Sequence, residues 1–219
     1  MTISLSNPQK LLILGTGTFA MDVADLVSDL PDFQVVGFVA SMPPYEPGST
    51  MLGQPIYWVD ELTQFDDSYR AVCALVTTKR HHFTQQAEAL GICFTTVIHP
   101  TARVSRMAAV GVGTIISSGV QVATHTQIGQ HVVINRGALI GHHNVIHDHA
   151  TISPGANLAG NVTVRQRAWV GLGANVLEKR TIGERSIVGA GALVTRDVAK
   201  QVKVMGIPAS VVEEGIDGL

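Results

Sequence analysis

A chain of 219 residues that is 46% hydrophobic has material for one large core or two small ones. Its formal charge of -2 and pI near 6.5 leave no broad basic field to hold nucleic acid phosphates and no polybasic anchor for an anionic membrane. Met1-Thr2-Ile3-Ser4 is not a basic region followed by an apolar one, and runs such as Leu11–Leu14 are too short to span a bilayer, so a cytoplasmic protein without a membrane span is expected.

Residues 10–15, KLLILG, predict a buried strand. Thr16-Gly17-Thr18 then leads into an amphipathic helix with Phe19, Val23, Leu26, Val27 and Leu30 on one face. FQVVGFVA (33–40) and RAVCALVT (70–77) predict further strands, 81–90 a helix, and the proline- and glycine-rich stretch 41–55 a loop. Cys73 and Cys93 sit in apolar segments without CxxC spacing and are expected to be buried thiols. The alternation of strand and helix predicts a Rossmann-like α/β domain over 1–98, with a boundary near His99-Pro100. Gly15, Gly17 and Ala20 form a GxGxxA pattern, a weak sign of dinucleotide binding. A dinucleotide site also wants an acidic residue after the second strand, where Ala40-Ser41 stands here. A glycine turn opening a helix still suits a small anionic or sugar ligand against exposed N–H groups.

From Val104 to Val194 every sixth residue is aliphatic, sixteen in succession. Two positions earlier the side chain is usually small, as at Ala108, Ala138 and Ala174, and the following residue is often glycine. Neither a helix period near 3.6 nor a strand period of 2 produces this pattern. Each hexad makes a short strand and a turn, three close a triangular coil, and stacked coils share one apolar axis. A parallel β-helix is predicted over 99–195, with 196–219 leaving it as a tail.

The junction HPTA (99–102) and the coil motifs SPGANLAGNVTV (153–164), WVGLGANV (169–176), VGAGALVTRDV (188–198) and GIPA (206–209) resemble the sialic acid O-acetyltransferase/bacillosamine N-acetyltransferase family of sugar acyltransferases. The resemblance covers nearly the whole chain. It implies a left-handed coil, a homotrimer, acetyl-CoA as co-substrate between adjacent coils, and a sugar acceptor on the N-terminal domain. The family's catalytic histidine falls on His142, two residues past the inward Ile140 and therefore at a turn. A neutral imidazole there suits a general base. His143 takes the place of the acidic residue that usually follows, and Thr151 that of a second histidine. The resemblance places Thr151, Gly160, Leu172, Ala190 and Gly191 along the cofactor, and Gly15, Gly17, Thr18, Phe19 and Ser41 at the acceptor.

Four histidines, His142, His143, His147 and His149, lie within eight residues. Residues eighteen apart fall on successive coils, so His125 should lie under His143 and His131 under His149, with Arg167 continuing that ladder. GH-x4-H through His142 and His147 also resembles the γ-class carbonic anhydrases. Zinc needs three protein ligands, however, and the position two coils before His142 holds Arg106. No metal is expected, with an unorthodox ligand at His125 the route to one. The expected function is acetyl-CoA-dependent transfer to an amine or hydroxyl of a sugar. A zinc enzyme and a non-catalytic ligand-binding trimer stand as alternatives.

Overall fold

The computed structural model describes residues 7–219, and the N-terminal reading at Met1–Ser4 lies outside the described residues. The chain divides into two compact units. One runs up to Leu75 and includes Phe83–Thr95, and the other joins Val76–His82 to Thr96–Leu219.

The first unit is a sheet with strand order β3-β4-β2-β1-β5. β1 (Gln9–Leu14) pairs in parallel with β2 (Phe33–Ala40) and with β5 (Tyr69–Cys73), and Leu11–Leu14 are fully buried. An uninterrupted apolar run of this kind suits a parallel strand covered on both faces. α1 (Thr18–Ser28) buries Ala20, Val23, Leu26 and Val27 at helical spacing and stops before Leu30. The 41–55 loop expectation is corrected: a short β3 (Thr50–Met51) turns into β4 (Gln54–Trp58), which pairs in parallel with β2. Ile56, Tyr57 and Trp58 are strand formers, and their pairing with Phe38–Ala40 overrides the turn-rich composition before them. The strand expected over 70–77 ends at Cys73. Thr77 instead caps a turn at Thr78–Arg80, accepting from the Lys79 N–H. α2 spans His81–Ala89. Cys73 is buried as expected, but Cys93 is exposed, because it follows Gly91 in the turn between α2 and the bridge at Phe94.

The second unit is the coil. Two-residue strands repeat every six residues and stack in parallel in three faces. The first face runs from Arg103–Val104 to Leu193–Val194, the second from Ala109–Val110 to Thr181–Ile182, and the third includes Val97–Ile98, Val133–Ile134, Thr151–Ile152, Trp169–Val170 and Ile187–Val188. Register advances by 18 residues throughout, as in Ile134↔Ile152↔Val170↔Val188. The aliphatic member of each hexad points inward, and from Ile116 to Val194 these residues form one continuous buried cluster. The coil also continues beyond the expected end: Val198 bridges Ile182, and Val202–Met205 pairs in parallel with Ile187–Val188. The offset there is 16 residues, as in Val188↔Val204, so the hexad period is lost while the ladder persists. Ser210–Glu214 folds back antiparallel on that strand.

Candidate active site

From Gly113 to Gly191 each coil corner holds one residue with left-handed backbone. At the corners between first and second faces and between second and third, that place is taken, after Gly113, by His125, His131, His143, His149, Asn161, Arg167, Lys179 and Arg185, all with φ of 53–61°. At the corner between third and first faces it is glycine each time: Gly119, Gly137, Gly155, Gly173 and Gly191. For the last four of these, a Cβ would meet open space. Packing therefore does not demand glycine at this corner, and φ alone is met elsewhere by histidine or arginine. Its bare backbone leaves room for something to lie along it.

A groove of about 400 Å3 borders this corner. Thr151, Trp169 and Ile187 from the third face line it together with Pro154, Leu172 and Ala190 from the turns. Thus Thr151, Leu172 and Ala190, three of the expected cofactor residues, share one groove, and Gly191 follows Ala190 on its corner. Gly160 lies elsewhere, against His142. Thr151 is not the hydroxyl donor that replacement of a histidine suggests. It is 1% exposed, and its hydroxyl donates to the Val76 carbonyl at 2.9 Å.

His142 stands exposed at the first-to-second corner. Its ring lies on Gly160 of the next coil, where a Cβ would come 2.6 Å from both Cε1 and Nε2. His142 Nδ1 lies 3.1 Å from His143 Nδ1, with the two rings edge to face. For Nε2 to accept a proton, Nδ1 must carry the hydrogen, and His143 then accepts it. In that tautomer the His143 ring is the partner that can orient His142. His143 is itself fixed by stacking on His125 at 4.8 Å and 3°, and His125 Nδ1 lies 2.7 Å from Thr124 Oγ1. The stacking distance is one inter-strand spacing, as expected from residues 18 apart.

The same spacing stacks His149 on His131 at 5.0 Å at the second-to-third corner. Burial first, then the neighbouring His131, Arg80, His81 and Arg167, push the His149 imidazole from 6.5 down to about 3. Asp217, on the far side of Arg167, pairs with Arg167 and Arg185. A histidine held neutral in the fold but protonated near 6.5 when unfolded contributes stability above that pH, and the contribution is lost as pH falls from 6.5 toward 3. The melting temperature should therefore drop as pH is lowered from about 7 to 4, with a shallower slope in His149→Gln. Equal slopes would remove His149 as the source.

Among the described residues, no group of three or more His, Cys, Asp and Glu side chains is arranged to hold a metal ion. His147, the second histidine of the GH-x4-H pattern, has its Nε2 3.5 Å from Arg165, and His125 is stacked parallel to His143.

In the first unit, β1 lies between β2, reached through α1, and β5, which joins from the other side. Strand order reverses there, the place in an open α/β sheet where ligands commonly bind, beyond the carboxyl ends of the strands. Gly15 directly follows β1 with φ of 127°, and a Cβ would lie 3.0 Å from the Ala74 carbonyl oxygen. The backbone thus requires this glycine whatever binds. Gly17 is the N-cap of α1, with no side-chain cap, and Thr18 and Phe19 begin the helix. Ser41 follows the last residue of β2 at the same sheet end. These five expected acceptor residues gather at one edge of the unit. Nearby in sequence, Tyr45 and Trp58 stack at 5.2 Å, and Glu61 accepts hydrogen bonds from both. The sequence reading missed this aromatic pair, because it treated 41–55 as unstructured.

No protein-family model matches the chain, and no curated protein matches it. Solved structures do. A histidine-to-alanine mutant of GDP-perosamine N-acetyltransferase from Caulobacter crescentus, in complex with CoA and GDP-perosamine, is 29% identical. It aligns over 94% of this chain and 97% of its own, with a TM-score of 0.87. The acetyltransferase domain of PglB from Neisseria gonorrhoeae, in complex with acetyl coenzyme A, is 27% identical over 94% of this chain and 100% of its own, with a TM-score of 0.87. WeeI from Acinetobacter baumannii, 24% identical over 92% and 99% with a TM-score of 0.85, shares the fold.

Proposed function

We infer that the chain is a hexapeptide-repeat sugar acyltransferase, moving an acetyl group from acetyl-CoA to an amine or hydroxyl of a sugar or nucleotide-linked sugar. The likeness to acetyltransferases solved with CoA, acetyl-CoA and a nucleotide sugar over more than nine tenths of both chains supports this reading. The observation that carries it within the chain is the exposed His142, whose ring is held by Gly160 and His143. The acceptor's lone pair attacks the thioester carbonyl, a C–N or C–O bond forms and the C–S bond breaks. His142 Nε2 takes the proton from the acceptor and returns it to the departing CoA thiolate.

The donor's place in this reading is the glycine-lined groove, with Thr151, Leu172, Ala190 and Gly191 beside it. On a single coil that groove and His142 stand at different corners, with the whole first face between them. A homotrimer about an axis parallel to the coils resolves this, since the His142 corner of one copy can then face the groove of the next. Gly15, Gly17, Thr18, Phe19 and Ser41, on the Rossmann-like unit, hold the acceptor in this proposal.

Calorimetric titration of the full chain with acetyl-CoA tests the reading without needing the acceptor. One site per chain is expected, with affinity in the roughly micromolar to millimolar range usual for enzyme substrates. Absence of binding at millimolar acetyl-CoA would overturn it.

A further inference from the structure

One residue lining the groove belongs neither to a coil strand nor to a coil turn: Val76. Two side chains fasten it there. The Thr151 hydroxyl donates to its carbonyl at 2.9 Å, and so does the Arg80 guanidinium at 3.2 Å. Arg80 is 1% exposed and directs its other donors to Thr77 O, Thr151 Oγ1, Ala150 O and His131 O, at 2.7–3.0 Å. The short segment after β5 is thus bolted onto the third face at the level of Thr151.

That level matters for the donor. Thr151, Trp169 and Ile187 descend the groove one coil at a time, about 4.8 Å per step. His142 lies in the turn of chain just before Thr151, between the strands Leu139–Ile140 and Val145–Ile146. Copies related by a closed rotation axis parallel to the coils are not displaced along it, so a neighbour's His142 stands at the same level. The thioester must then lie near Thr151. The pantetheine arm descends past Trp169, Leu172 and Ala190, and the acyl group is left facing Val76.

We propose that Val76 is the stop that limits the transferred acyl group to a short one, making it a specificity-determining residue held in place by Arg80 and Thr151. The proposal rests on the donor reading above. An apolar wall of this kind rejects each added methylene by about tenfold or more.

Titration of the full chain with CoA, acetyl-CoA, butyryl-CoA and hexanoyl-CoA reads this directly. CoA and acetyl-CoA should bind comparably, and butyryl-CoA and hexanoyl-CoA at least about tenfold more weakly than acetyl-CoA. Val76→Ala should close most of the butyryl gap, read as the ratio of butyryl-CoA to CoA affinity within that variant. Val76→Phe should act in the opposite direction, weakening acetyl-CoA at least about tenfold relative to CoA. Equal binding of acetyl- and butyryl-CoA by the wild type, or a gap unchanged in both variants, would overturn the role of Val76 while leaving the donor site standing. Failure of CoA itself to bind would instead remove the donor site, and this proposal with it.

Discussion

His142→Ala is expected to lower acetyl transfer by roughly 100-fold or more while acetyl-CoA still binds. The groove proposed for the donor lies at a different corner of the coil, and His142 is not among the residues of the same chain that line it. Loss of turnover without loss of binding is therefore the signature of a missing base. Gly160→Ala should reproduce much of the defect with the histidine still present. Its new methyl would sit 2.6 Å from the imidazole, so the ring must swing away, and a displacement of about 1 Å at a reacting group can cost on the order of 100-fold. Steady-state rates of thiol release with a nucleotide-linked amino sugar, beside acetyl-CoA titration of each variant, separate the two quantities. Transfer within a few-fold of wild type in His142→Ala would remove the base assignment.

Arg80→Met should destabilise the coil unit by at least about 3 kcal/mol. The methionine can fill part of the volume, but the carbonyls of Val76, Thr77, His131 and Ala150 and the Thr151 hydroxyl all lose a buried donor. The His131 carbonyl loses both guanidinium donors, whereas Val76 O, Thr77 O, Ala150 O and Thr151 Oγ1 each keep one other hydrogen bond. A buried polar group left unsatisfied costs roughly 1–3 kcal/mol, and the weakened ones add to it. For a chain of this length that corresponds to a fall in Tm of about 6–12 °C. Arg80→Lys keeps the charge but offers fewer, differently directed donors, and should lie between the two. A Tm within about 2 °C of wild type for Arg80→Met would show that the segment is held by other contacts.

The coil was legible in the sequence because its geometry repeats. Every sixth residue from Ile116 to Val194 is buried, and the stacking of His125 with His143 and His131 with His149 follows from register alone. Gly119, Gly137, Gly155, Gly173 and Gly191 recur at the same 18-residue interval, and that repeat could have pointed to the groove. Arg80 could not be read in the same way. It lies outside the repeat, between the strand expected over 70–77 and the helix expected over 81–90, and its partners His131, Ala150 and Thr151 are 51 to 71 residues away. The contact of His142 with His143 was hidden for a different reason. Residue identity showed only that no carboxylate follows His142, whereas the approach of the two Nδ1 atoms depends on side-chain placement.

As far as Ile187 the constant 18-residue register of the third face makes the coil a ruler. Thr151, Trp169 and Ile187, all lining the groove, mark successive graduations, each one strand spacing apart. Distance along the groove is therefore quantised. A single inserted or deleted residue would break the register of every inward side chain beyond it, while a change of 18 preserves the core and alters the groove by one whole division of about 4.8 Å. The reach of the groove can change only in steps of a full coil, and its length is set apart from the corner that carries His142.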